Sequence, residues 1–253
     1  MLIIYGTRMY GRVDECGGSY LGTCFVHLWF MPVVPTGSQL VVSNHADGSS
    51  QAIPVPLSWR SVMAAYMRMW GIVLMLCCLL ALAVGLFGLV TMTADRAEHF
   101  ELGDLFGVLF AGFFALVSMA AVVWSWGFMG KLSAEQKHQR SIYAQYTGIA
   151  ADPADLQGVR YAIRDRLLNA IVDGALGLAS TGYRVPADPA TQWGNIALDP
   201  TVEDPELVGA AFTLARIEWS LAQGAARAEL DRTHRALWHR IRASAPHPSQ
   251  ARA

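Results

Sequence analysis

The chain has 253 residues, of which 53% are hydrophobic and 15% are charged, and its formal net charge is −1. This composition is too apolar for a disordered chain, and the near-neutral charge argues against a dedicated nucleic-acid-binding protein, which normally has a basic excess. The four cysteines are scattered, and the adjacent Cys77 and Cys78 cannot easily bridge each other, so we expect no disulfide framework.

Residues 1–58 predict a small antiparallel β module. Segments rich in β-branched and aromatic residues occur at 2–5, 9–13, 20–30, 39–43 and 52–57. Turns are predicted at Gly17-Gly18, at Pro35-Thr36-Gly37 and at Asp47-Gly48. A module of this size buries a modest core, so we expect it to rest on the membrane, on the C-terminal region or on another subunit.

Residues 23–35, which read TCFVHLWFMPVVP, and the strand-like segment 39–43 resemble the central hairpin of small zinc-ribbon modules found beside membrane helices. Together with YGTR at 5–8 and GRVD at 11–14, they are similar to the front end of uncharacterised bacterial proteins with two membrane helices. In those ribbons, paired Cys-x-x-Cys knuckles hold zinc, but this sequence has no Cys-x-x-Cys motif. The resemblance covers the first quarter of the chain and implies a degenerate ribbon with no known activity.

Four residues of this module have zinc-ligand chemistry, namely Cys16, Cys24, His27 and His45. The spacing of Cys16 and Cys24 does not fit a zinc knuckle. Cys24 and His27 are three residues apart, which places them on opposite faces of a strand. We therefore predict no metal and no cofactor, and zinc binding by these residues is the alternative.

Two long apolar runs, 70–92 and 105–130, contain no Asp, Glu, Lys, Arg or His. Each is longer than the roughly 20 residues that a helix needs to cross a bilayer. They predict a transmembrane hairpin with a first helix region at 62–92, an extracytoplasmic loop at 93–104 and a second helix at 105–130.

The charges that flank the runs predict the orientation of this hairpin. Basic residues precede the first run and follow the second, at Arg60, Arg68, Lys131, Lys137 and Arg140, whereas the loop 93–104 has four acidic residues and one Arg. Basic flanks normally stay in the cytoplasm. We therefore predict a multi-pass protein of the plasma (inner) membrane with both termini in the cytoplasm and the lipid bilayer as a partner.

Small residues recur at helical spacing in both runs, at Ala81 and Gly85 and at Gly107, Ala111 and Ala115. Such residues let membrane helices approach closely. We predict that they pack the two helices against each other, and the alternative is that one face also forms a homo-oligomer. Because neither run has an ionisable residue, transport by this chain alone is disfavoured.

Residues 131–243 predict an α-helical cytoplasmic domain, followed by a disordered tail at 244–253. Gly148 is expected to end a first helix, and Asp152-Pro153 to begin a second. A last helix is expected to begin at Asp204-Pro205 and to run to about residue 242, weakened at Gly224. The predicted fold class is thus a mixed membrane protein with a small antiparallel β module, a two-helix hairpin and a helical domain.

The end of the last helix is basic and aromatic, and we predict that it contacts a protein partner or lipid headgroups. The candidate contact residues are Trp29, Trp193, Arg232, Arg235, Trp238, Arg240 and Arg242. For the arginines, an ordinary solvated helix face is the favoured interpretation, because acidic residues interrupt them.

The sequence contains none of the common catalytic motifs of hydrolases, metalloproteases or nucleotide-binding enzymes. It therefore predicts no catalytic residue. We interpret the chain as a membrane-anchored adaptor or scaffold that presents its β and α modules to a protein partner, without nucleic acid. The alternatives are a subunit of a homo-oligomeric channel or transport complex and, third, a membrane enzyme.

Overall fold

The structure, a computed structural model, describes residues 5–43, 50–94 and 102–244. Within them are a four-stranded antiparallel sheet and seven α-helices. These residues divide into two compact units, which we describe separately. The first comprises 5–15 and 20–132, and the second comprises 133–244 with the short segment 16–19.

The strands of the sheet follow one another in chain order as a meander. They are β1 (Tyr5–Cys16), β2 (Ser19–Leu28), β3 (Met31–Ser43) and β4 (Ser50–Val55). β4 pairs only with the second half of β3, from Ser38 opposite Val55 to Ser43 opposite Ser50. Among the described residues, the first half of β3 therefore has no partner strand on that side.

The predicted turn at Gly17-Gly18 is confirmed, and both glycines have positive φ. The turn predicted at Pro35-Thr36-Gly37 is wrong, because these residues lie inside β3. Prolines are tolerated there because the strand has no β4 neighbour at that point. The turn lies instead at Trp29-Phe30, and Asp47-Gly48 is outside the described residues.

Two helices, α1 (Trp59–Ala94) and α2 (Leu102–Gly127), pack against each other in antiparallel directions. Gly71 faces Val122 at one end of the pair, and Gly85 faces Val108 nearer the other. The first turns of α1 pack on the sheet, where Val62 and Ala65 form a buried cluster with Phe25. The rest of the pair is long and apolar enough to span a membrane.

The second unit is a helical domain built around one buried helix. Its helices are α3 (Ala134–Thr147), α4 (Arg160–Leu178), α5 (Trp193–Leu198), α6 (Pro205–Leu221) and α7 (Gly224–Ser244). α6 contacts each of the other four and buries most of its residues between Leu207 and Ile217. The core of this unit therefore surrounds α6.

The predicted helix ends are confirmed at Gly148, which caps α3 with φ 78°, and at Asp204, which caps α6 before Pro205. The Asp152-Pro153 pair begins a short 3₁₀ turn, and α4 starts only at Arg160. The single last helix predicted from Asp204 to about residue 242 is wrong. It is broken between α6 and α7, where Gly224 has φ 59° and therefore a left-handed backbone.

Candidate functional site

The turn between β2 and β3 has a backbone that its side chains do not favour. Trp29 has φ 52° and Phe30 has φ 65°, so two successive residues are left-handed. A two-residue hairpin with positive φ at both positions is usually built from Asn-Gly. Here it carries two aromatic side chains, and both are about half exposed.

Contacts from the rest of the first unit hold this turn in place. The Tyr10 hydroxyl donates a hydrogen bond to the Phe30 carbonyl at 2.8 Å. The ring of His27, which is buried, stacks on the Phe30 ring with 5.9 Å between centroids. We call Leu28–Met31 the aromatic tip, and it presents half-exposed apolar side chains at one end of the sheet.

Arg68 ties the beginning of α1 to the end of α2. Its guanidinium donates to the Ser125 carbonyl at 3.2 and 3.3 Å and to the Met129 carbonyl at 3.0 Å. It also lies 5.2 Å from the centroid of the Trp126 ring. A cation at the C-terminal end of a helix satisfies carbonyls that have no partner within the helix.

Aromatic side chains form a stacked column inside the second unit. Phe212 of α6 stacks on Tyr143 with 5.2 Å between centroids, on His234 with 4.3 Å and on Trp238 with 5.6 Å. The Tyr143 hydroxyl is 2.9 Å from His234 Nε2, and the Trp238 indole donates to Glu135 Oε1 at 2.5 Å. This column joins α3 and α7 to the central helix.

The electrostatics of this column keep its histidine neutral. Burial, together with the nearby positive charge of Arg216, lowers the pKa of His234 to about 4. Burial and the negative charge of Asp152 raise the pKa of Tyr143 far above its usual range. Arg216 forms a two-pronged ion pair with Asp152, with its shortest contact at 2.5 Å. These groups stabilise the interior of the domain, and the cavity described next is lined by other residues.

An open groove of about 840 Å³ lies on the surface of the helical domain between α3, α6, α7 and the loop before α6. We call it the α3–α7 groove. Its apolar lining includes Ile142 and Ile241, and its acidic side has Glu203 and Asp204. Arg240 also lines it, with its guanidinium bonded to three backbone carbonyls. A groove with this chemistry can receive an apolar segment that also carries basic side chains.

The five small residues predicted to pack the hairpin fall into different environments. A Cβ on Gly85 would lie 2.7 Å from Val108, and Ala115 is buried, so both lie at the contact between α1 and α2. A Cβ on Gly107, by contrast, would meet no atom within 4 Å. Gly107 therefore faces an open groove of about 690 Å³, which Ala81, Gly85 and Ala111 also line.

The predicted contact residues also separate into two groups. Trp193 and Trp238 are buried at 9% and 6% exposure, which removes them from the surface. Arg240 donates to the carbonyls of Ala197, Asp199 and Val202, so it fastens α7 to the loop after α5. The exposed members are Trp29, Arg232, Arg235 and Arg242.

The candidate zinc ligands give no metal centre in the part of the chain that the structure describes. Cys16 and Cys24 are free thiols, and the ring of His27 stacks on the ring of Phe30 in the aromatic tip. His45 lies outside the described residues. The resemblance to a zinc ribbon stays a prediction.

Two hydrogen bonds that hold the start of β3 against α1 were not predicted. The indole of Trp70 donates to the Pro32 carbonyl at 3.0 Å, and the Tyr66 hydroxyl donates to the Val33 carbonyl at 2.7 Å. The sequence singles out both residues as aromatic side chains at the start of an apolar run, where such residues often mark a membrane interface. No pattern in the sequence indicates their hydrogen bonds to the sheet.

Comparisons of the chain with protein-family models, with curated proteins and with solved structures find no match.

Proposed function

We propose that the chain is a membrane-anchored, non-catalytic adaptor whose helical domain receives a segment of a protein partner in the cytoplasm. The uncovered apolar surface of α1 and α2 carries this proposal. In the most apolar 18-residue windows of the two helices, 0% of α1 and 11% of α2 is buried. A continuous apolar surface of this kind is unfavourable in water, whereas a bilayer accepts helices whose backbone bonds are internal.

The aromatic residues of the hairpin support an interface at one end of it. Trp70 precedes Gly71, which faces Val122, so Trp70 and Trp124 lie at similar levels of the antiparallel pair. Trp126 follows within the same turn and is exposed. Tryptophans at one level of a helix pair are typical of the membrane–water boundary. Arg68 lies at this same end, which supports a cytoplasmic assignment for it.

The α3–α7 groove supports the adaptor part of the proposal. It is open and partly apolar. Burial, together with the negative charges of Glu206 and Asp204, raises the pKa of the Tyr146 phenol in its lining. We infer that the partner segment is amphipathic, with apolar residues for the floor and Lys or Arg for the acidic side.

The test is purification of the full chain from gently solubilised native membranes, followed by mass spectrometry of intact complexes. The wild type is compared with Ile241→Glu, which places a charge in the groove, and with Tyr161→Glu, a matched change on the exposed face of α4. We expect one protein at fixed stoichiometry with the wild type and with Tyr161→Glu, and its loss with Ile241→Glu.

Equal recovery of that protein with all three chains would reject the groove as its binding site. Recovery of no other protein would reject the adaptor. If each variant sediments with membranes and keeps the wild-type melting temperature, loss of the partner cannot be attributed to misfolding.

The same experiment addresses the second candidate, a subunit of a homo-oligomeric complex. The open space beside Gly107 favours it, since this glycine packs against nothing in the described part of the chain. Recovery of the chain only with copies of itself, and loss of those copies in Gly107→Leu, would favour this candidate over the adaptor.

A further inference from the structure

The first unit contains three hydrogen bonds that align β3 with α1. From the sheet's interior toward the aromatic tip, Ser38 Oγ accepts from the Ser58 amide at 2.9 Å, the Val33 carbonyl from Tyr66 at 2.7 Å and the Pro32 carbonyl from Trp70 at 3.0 Å. Residue numbers fall along β3 as they rise along α1. The strand therefore runs antiparallel to the helix, and the tip points toward the apolar half of α1.

The spacing of these contacts is consistent along both elements. From Ser38 to Pro32 a strand extends about 20 Å, at about 3.3 Å per residue. From Ser58 to Trp70 a helix extends about 18 Å, at 1.5 Å per residue. Because the two lengths agree, the strand and the helix lie side by side over this distance.

The same arithmetic gives the level of the tip. Phe30 lies two residues beyond Pro32, and Trp29 lies beside it in the two-residue turn, so both are about 7 Å further along the strand direction. That distance corresponds to about five residues of helix beyond Trp70, at the level of Met75. Trp70 begins the uncharged run 70–92. The tip thus extends beyond the start of the membrane-spanning part of α1.

The tip has the chemistry of a bilayer interface at that level. Leu28, Trp29 and Phe30 are each about half exposed, and Tyr5 at the start of the neighbouring β1 is exposed at 79%. Gly6 lies beside His27, so Tyr5 is at the same end of the sheet as the tip. Tryptophan and tyrosine side chains favour the headgroup region, where an apolar ring and a polar group are both accommodated.

From this geometry we infer that the β2–β3 hairpin is a second membrane contact, whose aromatic tip inserts into the lipid headgroup layer beside α1. The inference rests on the proposed membrane anchor, because the bilayer is the one that α1 and α2 span. An insertion of about 5–10 Å is the depth usual for elements that lie in the interface. The left-handed turn at Trp29 and Phe30 leaves both aromatic side chains about half exposed at the point of entry, where the surrounding lipid favours their exposure.

The test measures depth in the full chain, reconstituted into phosphatidylcholine and phosphatidylglycerol vesicles. Cys16, Cys24, Cys77 and Cys78 are replaced with Ala, and single cysteines are introduced at Trp29, Gln51 and Leu80 for spin labelling. Leu80 is exposed within the apolar part of α1, and Gln51 lies at the far end of the sheet, opposite Val42. Collision of each label with oxygen, which concentrates in lipid, is compared with collision with a water-soluble nickel complex.

We expect the oxygen-to-nickel ratio to be highest at position 80 and lowest at 51, with position 29 several-fold above 51. A label at 29 that behaves like the label at 51, while 80 remains lipid-exposed, overturns the insertion of the tip and leaves the anchor intact. Low ratios at both 29 and 80 reject the anchor itself. A label at Leu28 repeats the measurement if the Trp29→Cys chain does not melt like its cysteine-free parent.

Discussion

At the scale of single residues, the backbone conformation of the aromatic tip is unfavourable, and the contacts of the tip offset only part of this free energy. A left-handed backbone costs an ordinary residue about 1–2 kcal/mol. The stacking of Phe30 on His27 offsets part of this free energy. The side chain of Trp29 is half exposed. Strained residues of this kind tend to persist at functional positions.

Trp29→Asn is therefore expected to leave the folded chain in detergent as stable as the wild type, or to raise its melting temperature. Asparagine tolerates positive φ better than tryptophan. Phe30→Asn is the matched control at the next position, and it should lower the melting temperature because it removes the stack on His27. Thermal melting of both variants in one detergent checks this. A clear loss of stability in Trp29→Asn would show that its indole has a packing role.

A second residue-scale prediction concerns His234. Its pKa is about 4 in the folded chain, below the usual value near 6.5, so the unfolded state binds the proton first as the pH falls. Stability should therefore decrease from about pH 6.5 to about pH 4 and level off below that range. Arg216 opposes protonation, and Asp152 and Asp231 partly favour it.

Melting temperature measured against pH checks this with a pair of variants. His234→Gln should be less stable near neutral pH, because it loses the stack on Phe212, but its melting temperature should fall less between pH 6.5 and 4. His239→Gln, on an exposed position of the same helix, should follow the wild-type curve. Parallel curves for all three chains would remove His234 as the source of the pH dependence.

At the scale of secondary-structure elements, α1 is one continuous helix that packs on the sheet at its start and forms part of the apolar hairpin along the rest of its length. A helix of 36 residues is about 54 Å long, which exceeds the roughly 30 Å hydrocarbon core of a bilayer. Its first turns are covered by the sheet through Val62 and Ala65, and Tyr66 and Trp70 still bond to β3. Further along the helix, α2 is the main neighbour among the described elements. The sheet is thereby packed directly on a helix that is long and apolar enough to span a membrane.

Gly85 and Gly107 of the hairpin are expected to respond differently to replacement by Leu. Gly85→Leu forces a side chain against Val108 and should destabilise the α1–α2 pair by about 1–3 kcal/mol. Gly107→Leu enters open space and should leave the stability of the pair nearly unchanged. Each change removes one helical glycine, so the gain in helix propensity is similar. Unfolding in mixed detergent and dodecyl sulfate measures both, and equal losses would contradict this packing.

The sequence predicts elements well where a local pattern decides the structure. The caps at Gly148 and Asp204 were recognisable because they depend on a few neighbouring residues. The turn at Trp29-Phe30 was not recognisable, since neither residue type favours it and tertiary contacts impose it. Gly107 and Gly85 look alike in sequence, and only the rotation of each helix decides which of them meets its neighbour.

At the scale of the whole molecule, charge is distributed according to which side of the membrane each segment is predicted to occupy. The β module and the helical domain join the hairpin through basic residues, whereas the segment 93–104, predicted as a loop, has four acidic residues and one Arg. Two antiparallel helices return the chain to the side on which it started. The net charge of −1 hides this asymmetry, because the two signs cancel over the whole chain.

This asymmetry predicts that both ends of the chain lie in the cytoplasm, and thiol labelling of the cysteine-free chain checks it. Cysteines are introduced at Gln51 in β4, at Glu98 in the loop and at Glu229, an exposed position of α7. A membrane-impermeant reagent added to intact cells should label only position 98, and positions 51 and 229 should react after permeabilisation. The reverse pattern would invert the topology. Labelling of 51 and 229 from opposite sides would mean that only one helix crosses the bilayer, since a chain that crosses twice must have both flanks on one side.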